Sequence, residues 1–324
     1  MLEQLSSFIT RNRHTLEQAL AESLPVTSLA GASRLNEALD YAVFPGGKRL
    51  RPMLTLLGTQ VAGGAPPRAL PAACAIEYLH TSSIILDDLP AMDDADLRRG
   101  RAALHLVFGE DLATLAALAL LNQAYALLVR AASDGPTGSP GRLVSEAAFC
   151  VGANGMIGGQ VSDLQSNHRS GFASDFEPNG PRDGMNALQA RSLKTTALMR
   201  LTLSAGAIAC GACEQDAEAL AFFGESLGTA YQIQDDLLDE LGDISLTGKT
   251  PGQDARHLRS TFVAELGVEG AHDFSLSLIE RGKAAILERF GRTREAELLN
   301  ASADLIMREA GRWRPVAEGT SASR

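Results

Sequence analysis

Hydrophobic positions recur at three- and four-residue spacing along most of the chain. The spacing predicts helices over 2–23, 35–44, 49–62, 69–88, 110–132, 142–167, 186–212 and 215–241. Beta-branched residues are sparse, and no Asn-Gly or Asp-Gly pair is flanked by alternating runs, so the strand signal is missing. Ala and Leu, both helix formers, are abundant. The fold class is therefore expected to be all-α. Polar breakers separate the helices. SDGPTGSPG (133–141) reads as a loop, and SNHRSGFASDFEPNGPRDG (166–184) as a longer one. PVAEGTSASR (315–324) reads as a disordered C-terminal tail. No repeat of fixed period and no linker between two cores stands out, so residues 1–314 are expected to form one domain.

Composition changes the picture in two ways. At 45% hydrophobic and 21% charged, the chain can bury a globular core. Its net charge of −10 and the lack of a Lys/Arg-rich run argue against a nucleic-acid partner. In so acidic a protein, any phosphate site must be built locally from clustered cations or bound metal. The opening MLEQLSSFITRNRHTLEQAL has no basic segment followed by an apolar one, so no secretory signal is expected. With no run of eighteen apolar residues, no membrane span is expected either. The four cysteines fit a reducing cytoplasm. Cys210 and Cys213 form a CxxC, but no second pair follows, and the small flanking residues favour a packed helix.

Two acidic clusters carry the strongest chemical signal. The first is Asp87-Asp88 with Asp93-Asp94, followed by Arg98-Arg99-Gly100; the second is Asp235-Asp236 with Asp239. Each closes a largely apolar helix, where the macrodipole disfavours carboxylates. Divalent metal explains the placement. Asp235 and Asp239, four apart, share a helical face, with Asp236 on the adjacent stripe. Pro90 should end the first helix and let Asp93 curl back toward Asp87. Mg²⁺ takes oxygen ligands and is commonly shared between carboxylates and substrate phosphates, so two facing clusters could hold a diphosphate.

Candidate cations are Lys48, Arg49 and Arg51 in GGKRLRP, with His80 seven residues before Asp87 on nearly the same face. Lys194-Thr195 and Lys249 lie near helix breaks. Two patterns mislead. Gly224-Glu225-Ser226-Leu227-Gly228 matches a nucleophile elbow, but its flanks are helical rather than strand then helix. Gly242 to Lys249 has five residues, not four, between its glycines, so it is no phosphate loop.

These residues resemble the bacterial polyprenyl synthetases, the trans-isoprenyl diphosphate synthases. The resemblance runs from about residue 36 to 310 through GGKRLRP, EYLHTSSIILDDLPAMDDADLRRG, GGQVSDL, KTTAL, YQIQDDLLDELGD and GKTPGQD. It implies the type I isoprenoid synthase fold, a bundle of long helices around a central cavity, usually as a homodimer. It implies Mg²⁺, with three ions when substrate is bound and Mn²⁺ able to substitute. Asp87, Asp88 and Asp93 resemble the first metal cluster, and Asp235, Asp236 and Asp239 the second. Arg98, Lys194, Thr195, Gln232 and Lys249 match contacts around the allylic diphosphate (dimethylallyl, geranyl or farnesyl). Lys48, Arg51, His80 and Arg99 match the isopentenyl diphosphate site.

The chain departs from the family pattern at Leu86, Leu106, Gln253 and Arg259. In related farnesyl synthases an aromatic five residues before the first Asp stops growth. Here Ser82 stands there and Ser83 follows, so growth to geranylgeranyl diphosphate is expected; farnesyl or longer products are the alternative. A class I terpene cyclase and a non-catalytic regulatory subunit are disfavoured by DDLLD, GGKRLRP and two intact clusters.

Overall fold

The structure, a computed structural model, describes residues 1–44, 47–133, 140–167, 184–241 and 261–310. The described helices are α1 (Leu2–Ser23), α2 (Ser33–Val43), α3 (Leu50–Val61), α4 (Leu70–Asp87), α5 (Leu104–Phe108), α6 (Glu110–Ser133), α7 (Pro140–Val151), α8 (Met156–Asn167), α9 (Gly184–Ala209), α10 (Glu214–Leu241), α11 (Phe262–Phe290) and α12 (Arg294–Ala310). The all-α expectation holds. One hairpin is added: β1 (Leu97–Arg98) pairs antiparallel with β2 (Arg101–Ala102). The expected 142–167 helix is two helices, broken by a turn around Gly152–Gly155. Helices α11 and α12 were not expected. The 315–324 tail, most of the 166–184 loop and most of the 133–141 loop lie outside the described residues.

One hydrophobic core draws residues from α1 to α12. Helix α4 is buried nearly all round, with Ile76, Tyr78 and Leu79 fully enclosed. It packs on α6, α3 and α9, while α9 also packs on α10, α8 and α7, and α10 on α11. Small residues let α9 sit at the centre. A Cβ at Gly159 of α8 would lie 2.3 Å from the Lys194 backbone nitrogen. A Cβ at Gly224 would meet the Met199 carbonyl at 2.3 Å, and one at Gly228 would meet the Thr196 Cα at 2.9 Å. The glycines of the GESLG stretch thus serve close helix packing, and Ser226 is buried within α10.

Two helical stretches, Pro66–Asp87 and Glu110–Ser133, are long and apolar enough to cross a membrane by length and composition, a point the search for unbroken apolar runs missed. The first lies mostly inside the core. The thiols of Cys74 and Cys150 are pushed up to about 12 by burial, which makes them inert packing groups.

Candidate active site

Helix α4 delivers the first cluster. Asp87 is its last residue, and Pro90 prevents continuation. The chain then folds back: the Asp93 amide donates to the Asp87 carbonyl at 2.9 Å, and the Ala95 amide to the Asp88 carbonyl at 3.2 Å. Asp87 and Asp93 therefore share one turn. Burial pushes the Asp87 carboxyl above its ordinary range, partly offset by Lys194 of α9, whose Nζ lies 3.0 Å from Asp87 Oδ2. Asp93 stands exposed. Asp88 differs from both. It is only 3% exposed, and Arg98 Nε donates to its two oxygens at 3.0 and 3.1 Å. Its first task is to hold Arg98.

The hairpin was not legible in the pattern, yet it organises the cations. Arg99 and Gly100 both have positive φ, 53° and 77°, as a two-residue type I′ turn requires. Arg98, the last residue of β1, turns to Asp88, while Arg99 leaves the strand in the left-handed turn and its guanidinium lies 3.3 Å from where a Cβ of Gly47 would stand. The Arg-Arg pair is divided between an acidic site and a cationic one.

The structure brings Arg51, His80 and Arg99 together, with Lys48 next to Gly47 in the chain. Arg51 Nη1 lies 3.3 Å from His80 Nε2, and Arg51 Nε is buried without a hydrogen-bond partner among the described residues. An orphaned buried guanidinium N–H is a vacancy for an acceptor. Burial holds His80 well below its ordinary range, and Arg51, Arg99, Arg98 and Arg49 push it further down. Burial also lowers Arg51, opposed by Glu77 and Tyr231.

One prediction follows from this field. The folded chain refuses a proton at His80 that the unfolded chain accepts below about pH 6.5. Stability contributed by neutral His80 is present above that value and lost as pH falls toward the folded one. Thermal melts of His80→Asn should therefore lose less stability between about pH 7 and 5 than those of the wild type. Inorganic diphosphate, by cancelling the arginine field, should flatten the wild-type slope in the same range. Parallel pH profiles of variant and wild type would contradict the assignment.

Helix α9 joins the first acidic cluster to the second. Next to Lys194, the Thr195 hydroxyl donates to Gln232 Oε1 at 3.3 Å, and Gln232 Nε2 donates to Asp236 Oδ1 at 3.1 Å. The Phe262 amide donates to the other Asp236 oxygen at 3.1 Å, so Asp236 ties α10 to the start of α11. Asp235 is exposed and Asp239 half-buried on one face of α10. Lys249 lies outside the described residues.

Of the chain-length candidates, Ser82 is buried against α6, its hydroxyl donating to the Ala117 carbonyl at 2.9 Å. Ser83 is half-buried, four residues from Asp87 on the same stripe. Sequence reasoning passed over Gln160, whose amide reaches Met92 Sδ at 3.8 Å and whose Oε1 is buried without a partner among the described residues.

This donor set fits a hard divalent cation. The cluster ligands are carboxylate oxygens, and the Lys194 ammonium already rests on one of them. Among the described residues no three acidic, His or Cys side chains close round one point. Any ion here would complete its shell with water and substrate oxygens, as Mg²⁺ does.

Comparison with known proteins points to one family. The polyprenyl synthetase family matches residues 32–286, leaving α1 and α12 outside the span. The chain is 36% identical over 272 residues to the farnesyl diphosphate synthase of Bacillus subtilis, covering 84% of this chain and 88% of that one. It is 33% identical over 283 residues to the geranylgeranyl diphosphate synthase of Cyanophora paradoxa, covering 87% and 90%. Among solved structures, an FPP/GFPP synthase from Zymomonas mobilis superposes with a TM-score of 0.78 at 30% identity, covering 94% of this chain and 99% of that one. With its two acidic clusters, its divided arginine pair and its helical bundle, the chain belongs to the polyprenyl synthetase family of chain-elongating prenyltransferases.

Proposed function

We propose that this chain condenses isopentenyl diphosphate with an allylic diphosphate and releases mainly geranylgeranyl diphosphate. The observation that carries the reading is the division of Arg98 and Arg99. It supports two anion sites of different make, one beside the carboxylates of the first cluster and one where Arg51, His80 and Arg99 come together. The first suits an allylic diphosphate that arrives with metal, the second an isopentenyl diphosphate that needs none.

Asp87, Asp93, Asp235 and Asp239 would hold Mg²⁺, three ions with substrate in place. Bound metal supplies charge neutralisation to the leaving diphosphate. Lys194 and Arg98 add preorganised positive charge at the same end. Arg51, Lys48 and Arg99 grip isopentenyl diphosphate, and neutral His80 can hydrogen-bond it without adding charge. The allylic C–O bond breaks to release diphosphate, the isopentenyl double bond attacks the resulting cation to form the new C–C bond, and the proton lost from the adduct goes to the departing diphosphate. The apolar faces of the long helices exclude the water that would quench the cation.

The exposed apolar side chains Leu115, Leu118 and Val129 on α6, with Phe149 on α7 and Ile157 and Val161 on α8, support a homodimer that would cover some of them. Four free thiols are in keeping with a cytoplasmic location.

Chain length is tested by chromatography of dephosphorylated products from dimethylallyl, geranyl and farnesyl primers. Geranylgeraniol should dominate; mainly farnesol would overturn the length assignment and leave the family intact. Ser82→Phe should shift the product toward C15, because a phenyl group at the α4–α6 contact must take space from the growing tail. Overpacking there should also lower stability by about 1–3 kcal/mol. Unchanged products from a folded Ser82→Phe would remove Ser82 as a determinant.

A further inference from the structure

Arg49 has a role that the metal and substrate assignments leave unexplained. It has φ of 52°, a left-handed conformation that a non-glycine residue adopts only at a cost of about 1–2 kcal/mol. Its guanidinium is fully buried, and each of its three nitrogens is engaged. Nε and Nη2 donate to the two oxygens of Glu17 at 3.0 and 3.1 Å, Nη1 to Glu77 at 2.7 Å, and Nη2 also to the Val43 carbonyl at 2.8 Å. Glu17 belongs to α1, Val43 to the end of α2 and Glu77 to α4. A second tether lies beside it: Arg13 of α1 donates to the Gly47 carbonyl at 3.2 Å.

These bonds bracket one functional segment. Lys48 lies between the two tethered residues, and Arg51 is two positions on, in the first turn of α3. Arg99 rests on Gly47. Glu77 stands three residues, just under one helical turn, before His80. None of these contacts reaches Asp87, Asp93 or Lys194. As a stability device, a buried ion network is a poor choice, since apolar replacements of similar volume often do as well. Fixing a loop conformation is a better account of it.

We infer that Glu17 and Arg49 are positioning residues for the cationic diphosphate site, which makes the N-terminal helix α1 a structural part of that site although it precedes the span matched by the family. The inference rests on the reading of Lys48, Arg51, His80 and Arg99 as the isopentenyl diphosphate site. Glu17 orients Arg49, Arg49 fixes the left-handed turn, and the turn sets where Lys48 and Arg51 meet the anion.

The test uses full-length Glu17→Ala and Glu17→Gln. Steady-state kinetics are measured with each substrate varied separately, beside calorimetric titration with inorganic diphosphate in excess chelator. Chelator silences the carboxylate site and leaves the cationic one. Glu17→Ala should raise the isopentenyl diphosphate KM and the diphosphate Kd about tenfold, while the allylic KM moves less than about twofold. Glu17→Gln keeps an acceptor and should recover roughly half of the loss on a logarithmic scale. A lowered melting temperature with unchanged KM and Kd, or an equal rise in both KM values, would overturn the inference. Should Glu17→Ala fail to fold, Glu17→Gln carries the same comparison. If the wild type elongates nothing, the proposed function fails, while the titration in chelator still decides whether Glu17 positions the site.

Discussion

Asp87→Ala should lower turnover about a thousandfold or more and leave the chain folded. The side chain sits at the end of α4, faces Lys194 at 3.0 Å and shares a turn with Asp93. Asp88 cannot stand in for it, since Arg98 engages both of its oxygens. The turn itself is held by backbone bonds that survive the substitution, such as Asp93 amide to Asp87 carbonyl. Stability should not fall at neutral pH. Burial raises the Asp87 carboxyl above its ordinary range, so ionised Asp87 strains the fold as pH rises through the folded value. Any stability gained by Asp87→Asn should therefore appear at neutral pH and vanish below about pH 4. Turnover assays beside thermal melts check both halves. An Asp87→Ala enzyme within tenfold of wild type would remove the acidic cluster from the chemistry.

Arg51→Ala should raise the KM for isopentenyl diphosphate about ten- to a hundredfold, with a small effect on the allylic KM. One charge-assisted contact to phosphate is worth roughly 1.5–3 kcal/mol, which converts to that range. The partnerless Nε and the His80 contact at 3.3 Å put Arg51 in the cationic site, away from Asp87. Removing it should also relax the depression of His80, because Arg51 is its nearest charged cause after burial. Separate substrate titrations read the effect directly. A rise confined to the allylic KM would exchange the two sites.

Much of this was legible because the chemistry leaves a local mark. Carboxylates at the ends of apolar helices are costly enough to stand out, and Asp87, Asp93, Asp235 and Asp239 stood out for that reason. The division of labour within each cluster was not legible. Asp88 and Asp236 look like their neighbours in sequence, but distant partners, Arg98 and the Phe262 amide, engage them. The hairpin escaped notice because strands of two residues have no room for alternation. Only the Arg-Gly pair at 99–100 hinted at a left-handed turn. Helix α11 carries Gly267, Gly270 and Gly282, which weaken a propensity-based reading; packing overrides it, with Gly282 set against Phe223 and Ser226 of α10. The Glu17–Arg49–Glu77 network spans sixty positions and has no local signature at all.

The central claim is that two separate diphosphate sites act together to join two substrates. Labelled isopentenyl diphosphate, given with an allylic diphosphate, tests it most directly. The account predicts that label enters an elongated, acid-labile allylic diphosphate only when both substrates and Mg²⁺ or Mn²⁺ are present, and that excess chelator abolishes it. Label incorporated in excess chelator, an allylic substrate converted to cyclic hydrocarbon without isopentenyl diphosphate, or no elongated product under any of these conditions would contradict it.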